Sequence, residues 1–160
     1  MSEYVFKLAG YGDADEVRKL YKSLVGTPGC TWHEDYPNDS LMMEDIATGS
    51  LYILKDGEDI VAVCSACPQD EDFAQLEWTA KNPCVLARIG VSQSRQGQGL
   101  GSLILTKVIA AAKERGYDGM GFVVSLNNHA ALRLYQKNGC ECCGRVFMYG
   151  REFYRYQKVF

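Results

Sequence analysis

The apolar run Ala87-Arg88-Ile89-Gly90-Val91 passes through Ser92-Gln93-Ser94-Arg95-Gln96-Gly97-Gln98-Gly99 into a stretch that reads as a helix from Leu100 to about Arg115. Glycine at positions 97, 99 and 101 lets the main chain lie directly against a ligand. A helix that starts there has several N–H groups without intrahelical partners, and the positive end of its dipole lies beside them. The chemistry served by that combination is anion binding, with a phosphate as the expected guest. Two phosphate sites are excluded by the spacing. A dinucleotide fingerprint needs G-x-G-x-x-G/A, and the third position after Gly99 is Ser102; a P-loop needs a Gly-Lys-Ser/Thr ending, which is absent. What remains is Gln96-x-x-Gly99-x-Gly101.

This pattern resembles the acyl-coenzyme A signature Q/R-x-x-G-x-G/A of the GNAT superfamily of N-acetyltransferases. Further on, Asn128-His129-Ala130-Ala131-Leu132-Arg133-Leu134-Tyr135-Gln136-Lys137-Asn138-Gly139-Cys140 resembles the later motif N-x-x-A-x-x-L-Y-x-K-x-G-F of the same superfamily. Together the two stretches cover roughly Arg88 to Cys140. The departures are Gln96, where many relatives carry Arg, and Cys140, where Phe is usual; neither changes the backbone cradle.

The resemblance implies an acetyl-coenzyme A dependent N-acetyltransferase in which an amine attacks the thioester directly, in a ternary complex. Its diphosphate would rest on the backbone of Gly97, Gln98, Gly99, Leu100, Gly101 and Ser102, with Gln96 adding polar contacts. In that fold the strands corresponding to Cys84–Val91 and Gly119–Ser125 splay apart. The pantetheine arm would pair with Ile89 and Val91, Gly90 would suit a bulge, and a strand amide near Val91 would face the thioester carbonyl. Asn128, with Ala131 in the same motif, would hold the pantetheine or the helix end. Tyr135 lies seven residues after Asn128, two helical turns along one face, and is the candidate general acid. A phenol of pKa about 10 can protonate a departing thiolate whose conjugate acid lies near 8.5.

The general base is left open. Some relatives that acetylate protein N-termini use a Glu at the position corresponding to Val123, which cannot serve. Glu34, His33, Glu77 or a water chain remain. A second function class stays in view, a coenzyme A module that senses acyl-coenzyme A without turning it over. A third is a thiol-redox or metal protein built on Cys64-Ser65-Ala66-Cys67. Against the third, residues three apart in the strand-like run Ile60–Cys64 and its continuation point to opposite faces, no second C-x-x-C exists, and His33 and His129 are the only histidines. No metal is expected.

The elements that must position these groups alternate as βααβββαβαββ, an α/β architecture with helices flanking a mixed sheet, GNAT-like in its order. The first strand is read at Val5–Ala9. Asp13 and Glu16 form a capping-box-like pair before a helix whose stripe is Ala14, Val17, Leu20, Tyr21 and Leu24. A short helix is read from about Ser40 to Thr48. The aromatic and acidic loop Gly29-Cys30-Thr31-Trp32-His33-Glu34-Asp35-Tyr36-Pro37 either pins itself to the body or forms a wall of the acceptor site. Leu51–Leu54 and Ile60–Cys67 read as a hairpin, Pro68–Pro83 as a polar connection, and Asn128 as the cap of a helix ending at Asn138-Gly139. Glu141–Met148 and Glu152–Val159 read as a terminal hairpin around Gly150.

One domain suits 160 residues with 47% hydrophobic content. A net charge of −3 argues against nucleic acid as partner and points towards a cationic acceptor, whether small molecule or peptide. The N-terminus shows no basic and apolar leader and no segment reaches the length of a membrane span, so a cytoplasmic, membrane-free protein is expected. Monomer and homodimer both remain open.

Overall fold

Ala14, Val17, Leu20, Tyr21 and Leu24 recur at three- and four-residue intervals. In the computed structural model, which describes residues 3–28 and 30–160, they are the buried stripe of helix α1, Ala14–Leu24. Met1 and Ser2, and Gly29 of the aromatic loop, lie outside the described residues. The entrance to α1 differs from expectation. Asp13 does not pair with Glu16; its carboxylate reaches back across a 3-10 turn at Tyr11–Asp13 to accept the Gly10 N–H at 2.8 Å. That backbone bond is the main cause holding the Asp13 carboxyl below the ordinary range, with Lys7 at 3.4 Å adding to it. Helix α2, Asp39–Ala47, starts where the Asn38 side chain accepts the Leu41 N–H at 2.9 Å.

Seven strands form one sheet: β1 Tyr4–Leu8, β2 Leu51–Asp56, β3 Asp59–Cys67, β4 Pro83–Val91, β5 Gly119–Ser125, β6 Glu141–Met148 and β7 Arg151–Val159. Their spatial order is β1-β2-β3-β4-β5-β7-β6, with β4 and β5 the parallel pair and the other neighbours antiparallel. The order of elements read from the sequence is recovered, with one addition. The polar connection holds a single-turn helix α3, Glu71–Ala74, capped by the Asp70 carboxylate on the Phe73 N–H at 2.9 Å. Helices α4, Leu100–Glu114, and α5, His129–Lys137, complete the chain. Among the described residues no helix is long and apolar enough to cross a membrane.

Strand alternation sends side chains to two cores. On one face Leu100, Ile104, Leu105, Val108 and Tyr135 pack on Leu54, Cys64, Met120 and Phe122; on the other, α1 and α2 cover Leu51, Ile53 and Val63. Two irregularities in β4 break that rule and matter for the site. Its register with β5 runs only through Pro83–Gly119, Cys84–Met120 and Val85–Gly121, so the strands part beyond Val85. And Val63 lies opposite Gly90 while Ser65 lies opposite Ala87, so two steps of β3 span three of β4. The extra residue sits at Arg88–Ile89, with Arg88 in the left-handed region at φ 52.

The bulge is therefore centred at Arg88 and not at Gly90, where the sequence pattern places it. Gly90 has another reason to lack a side chain: a Cβ there would come 2.7 Å from Leu24 and 3.1 Å from Trp32. Gly101 is less confined, since a Cβ there would meet Leu134 at 3.5 Å, an ordinary contact. Gly90→Ala is expected to cost about 1–3 kcal/mol through overpacking, whereas Gly101→Ala, inside a helix, should be neutral or stabilising by up to about 1 kcal/mol. Urea midpoints of the two variants check the contrast.

Candidate active site

Gly97 and Gly99 both adopt left-handed backbone, at φ 82 and 78, and bend the chain from β4 into α4 through a 3-10 turn at Gln93–Arg95. Gly99 is the N-cap of α4, and no side chain caps it. The first N–H to turn inward is that of Leu103, on the Gly99 carbonyl at 3.0 Å, so the Leu100, Gly101 and Ser102 amides precede the intrahelical ladder. A Ser or Asp at the cap would have engaged one of these donors. The turn is fastened at three points. Arg95 pairs with Asp56 at the end of β2 at 2.6 Å; the Gln96 amide nitrogen donates to the Val91 carbonyl at 3.2 Å; and the Ser102 hydroxyl accepts from Asn138 at 3.2 Å. Gln96 is thus directed back along β4, and Ser102 is tied to the end of α5. Gln98 is exposed at the tip of the turn.

Helix α5 approaches the same region from the other side. The Asn128 side chain accepts the Ala131 N–H at 3.2 Å and caps the helix. Tyr135, two turns along, is 5% exposed and packs with its ring 4.4 Å from that of Phe122, the first residue of β5 past the last β4 pairing. Burial pushes the Tyr135 phenol well above its ordinary range. It stays a proton donor at any physiological pH, at the cost of being a weaker acid than a solvated tyrosine.

The α1–α2 loop covers the opposite face. Trp32 stands edge-on to Tyr21, 5.4 Å between ring centroids, and presses with Leu24 against Gly90. The Tyr21 hydroxyl is buried there without a hydrogen-bond partner among the described residues. The three candidate bases are not brought together. His33 exchanges backbone bonds with Tyr36 and accepts the Asp35 N–H on Nδ1 at 3.2 Å, which commits it to its own loop. Glu34 is exposed. Glu77 lines a polar cleft of about 350 Å³ with Trp78, Glu141 and Arg155, and its carbonyl accepts from Arg155.

Sequence reasoning missed the most strongly bonded group on this face. The Asp45 carboxylate accepts from Arg88 Nε at 2.8 Å and Nη2 at 2.9 Å, from the Ser65 hydroxyl at 2.8 Å and from the Cys67 thiol at 3.5 Å; Arg88 Nη1 also donates to the Tyr36 hydroxyl at 3.3 Å. Burial weakens the guanidinium's hold on its proton, but the Asp45 bonds and charge more than reverse this, and Arg88 is raised above its ordinary value. The signal was present in the pattern: Met42, Asp45 and Ile46 are the buried residues of α2, so a carboxylate interrupts an apolar stripe, and Arg88 interrupts an apolar strand. So bonded, Asp45 is an unsuitable base. Cys64 and Cys67 lie on opposite faces, one in the core under α4 and the other beside Asp45. Burial pushes the Cys67 thiol up to about 12 and those of Cys84 and Cys140 to about 11, which leaves little thiolate for redox or metal chemistry.

A glycine-opened helix start thus lies beside two parted parallel strands. The sequence model of the acetyltransferase (GNAT) family matches residues 17–140. The chain belongs to that family. A GNAT-family acetyltransferase from Streptococcus agalactiae superposes with a TM-score of 0.81 at 21% identity, over 98% of this chain and 95% of the other. YncA from Salmonella typhimurium, whose structure holds its cofactor acetyl-CoA, superposes at 0.76 with 16% identity, over 99% and 94%. Among curated relatives, N-acetyltransferase family 8 member 2 of Rattus norvegicus is 26% identical over 102 residues, 64% of this chain. This GNAT chain spans less than half of that relative, the match covering 43% of its length.

The burial of the thiols has a direct consequence. With Ellman-type reagents the native GNAT chain should show exposed Cys142 reacting fast, while Cys64, Cys84 and Cys140 react only on unfolding. Peptide mapping after a timed pulse of alkylation reads the order.

Proposed function

We propose that the protein transfers an acetyl group from acetyl-coenzyme A to an amine by direct attack. The observation that carries this reading is the uncapped start of α4 behind Gly97 and Gly99, next to the gap that opens between β4 and β5 past Val85. The fit is chemical as well as spatial. Three main-chain donors and a helix dipole suit a diphosphate, and unpaired strand edges suit an amide-bearing arm. Gly97 to Ser102 would hold the diphosphate and Ile89 to Val91 the arm, with Asn128 and Ala131 shaping the start of α5. When bound, the thioester supplies an activated acyl group and a thiol leaving group.

The chain's own residues then have separable tasks. Tyr135 donates the proton to the departing sulfur, and its burial keeps that proton in place to high pH. A β4 amide near Val91 steadies the oxyanion that develops during attack. The acceptor enters from the α1–α2 side, where Trp32 and Leu24 form an apolar wall over Gly90 and the unpaired Tyr21 hydroxyl has hydrogen-bonding capacity left. The acidic loop residues Glu34 and Asp35, with Asp70 to Asp72, favour a cationic acceptor. With Glu34 exposed, Glu77 lining a polar cleft of its own and His33 bonded within its loop, water is the favoured route for the amine's proton.

Isothermal titration with coenzyme A, followed by thiol release from acetyl-coenzyme A across a panel of polyamines, amino acids and peptides, tests the proposal. Tyr135→Phe should leave coenzyme A affinity within about twofold and lower kcat by about 10²- to 10⁴-fold, the range for a positioned proton donor. Because its pKa is raised, Tyr135 should not impose an alkaline fall in kcat below about pH 10. Tight binding with no thiol release on any amine would favour the sensing module instead.

A further inference from the structure

We infer that Arg88, locked by Asp45, is a positioning residue for acetyl transfer. It sets the register in which β4 meets the gap, and through Tyr36 it clips the acceptor loop to the same strand. The consequence for catalysis rests on the transferase reading above; the geometry does not.

Regular alternation would place Arg88 on the face of Cys84 and Leu86, against the apolar core under α4, and would turn Ile89 the other way. The cluster of buried residues on that face holds no carboxylate for a guanidinium to meet. The bulge resolves the conflict by turning Arg88 to the α2 face, where its fork meets both oxygens of Asp45. Past the extra residue every position is shifted by one. Ile89 and Val91 now pack towards α4, and Gly90 comes to face Leu24 and Trp32. The side-chain pairing thus decides which backbone groups of residues 89–91 line the cofactor side. Arg88 holds left-handed backbone without being glycine, a conformation that persists only when its surroundings over-determine it, and here its side chain is held by both oxygens of Asp45, by the Tyr36 hydroxyl and by the Cys67 sulfur.

The same guanidinium reaches the loop. Nη1 donates to the Tyr36 hydroxyl at 3.3 Å, four residues beyond the Trp32 that presses on Gly90. Asp45 is in turn held by Ser65 at 2.8 Å, so strand β3, helix α2, strand β4 and the loop share one buried junction. The side chains of Asp45 and Arg88 are 5% and 11% exposed, which leaves them out of contact with bulk acceptor and consistent with action through the backbone and Tyr36.

Four variants test this: Tyr36→Phe, Arg88→Lys, Asp45→Asn, and the double change Asp45→Leu/Arg88→Met, which replaces the pair by apolar groups. Each is followed by thermal melting, by amide hydrogen exchange of the apo protein, and by calorimetric titration with coenzyme A alone. Tyr36→Phe should melt near wild type and exchange faster in residues 30–37 only, with coenzyme A affinity unchanged. Arg88→Lys keeps the charge but not the fork, and should exchange faster in both 30–37 and 86–91 and lose at least tenfold in coenzyme A affinity. Asp45→Asn should copy it. The apolar pair should recover melting temperature without recovering coenzyme A affinity, which separates positioning from stability. Recovery of both, or unchanged exchange in 30–37 for Tyr36→Phe and Arg88→Lys, overturns the inference. Failure of the wild type to bind coenzyme A would instead remove the transferase reading, while the exchange data would still report on the clip.

Discussion

A guanidinium removed from water has to find a carboxylate, and in this protein meeting that requirement bends the central strand. Arg88 and Asp45 come from elements 43 residues apart in sequence and bond through two short contacts in a nearly dry setting. Breaking such a pair from one side leaves an uncompensated charge, a cost of about 3–5 kcal/mol in comparable cases. That penalty exceeds the order of 1–3 kcal/mol that left-handed backbone costs a residue with a side chain. The comparison decides the conformation: the strand yields and the ion pair forms. Everything on the two sides of β4 inherits the resulting shift.

The fold was largely legible because it is written in periodicities and stops. The α1 stripe, the run from Leu100, the hairpin of Leu51–Leu54 with Ile60–Cys67 and the Asn128 cap all appear at or within a residue or two of their expected places. The cradle was legible for the same reason, since its glycines are needed for backbone shape. Gly90 was singled out correctly as a special position but for the wrong cause, because a bulge and a close approach both select glycine and only neighbours from elsewhere in the chain tell them apart. The Asp45–Arg88 junction was only half visible in one dimension. Each charge interrupts an apolar pattern, but the pairing exists only once α2 is laid over β4. Helix α3 escaped for a different reason: four residues carry no periodicity to read.

In its proposed role as general acid, Tyr135 illustrates a compromise between two demands on one side chain. Packing against Phe122 and Tyr156 fixes the ring, with centroids 4.4 Å and 6.2 Å away, and a general acid gains from being held in place. The same packing removes water from the phenol and makes it reluctant to ionise. Each pKa unit of that reluctance is about 1.4 kcal/mol of driving force lost in protonating a thiolate. In the proposed reaction a thiolate leaving in the same desolvated space would be destabilised too, so what would govern transfer is the difference between two groups raised together. The offset makes a buried phenol a workable acid where an exposed one would gain nothing from position.

The proposed cradle tolerates low sequence identity because of where its donors lie. Donors at Leu100, Gly101 and Ser102 are main-chain groups, and the side chains there need only leave them open, so most substitutions that preserve backbone shape preserve the site. The opposite face is under a different constraint. In the proposed acceptor wall, Trp32 and Tyr36 act through their side chains. A main-chain cradle can thus be inherited while the acceptor wall is rewritten, provided that β4 keeps its shifted register, and in this chain the register depends on one buried pair rather than on the glycines that make the cradle recognisable.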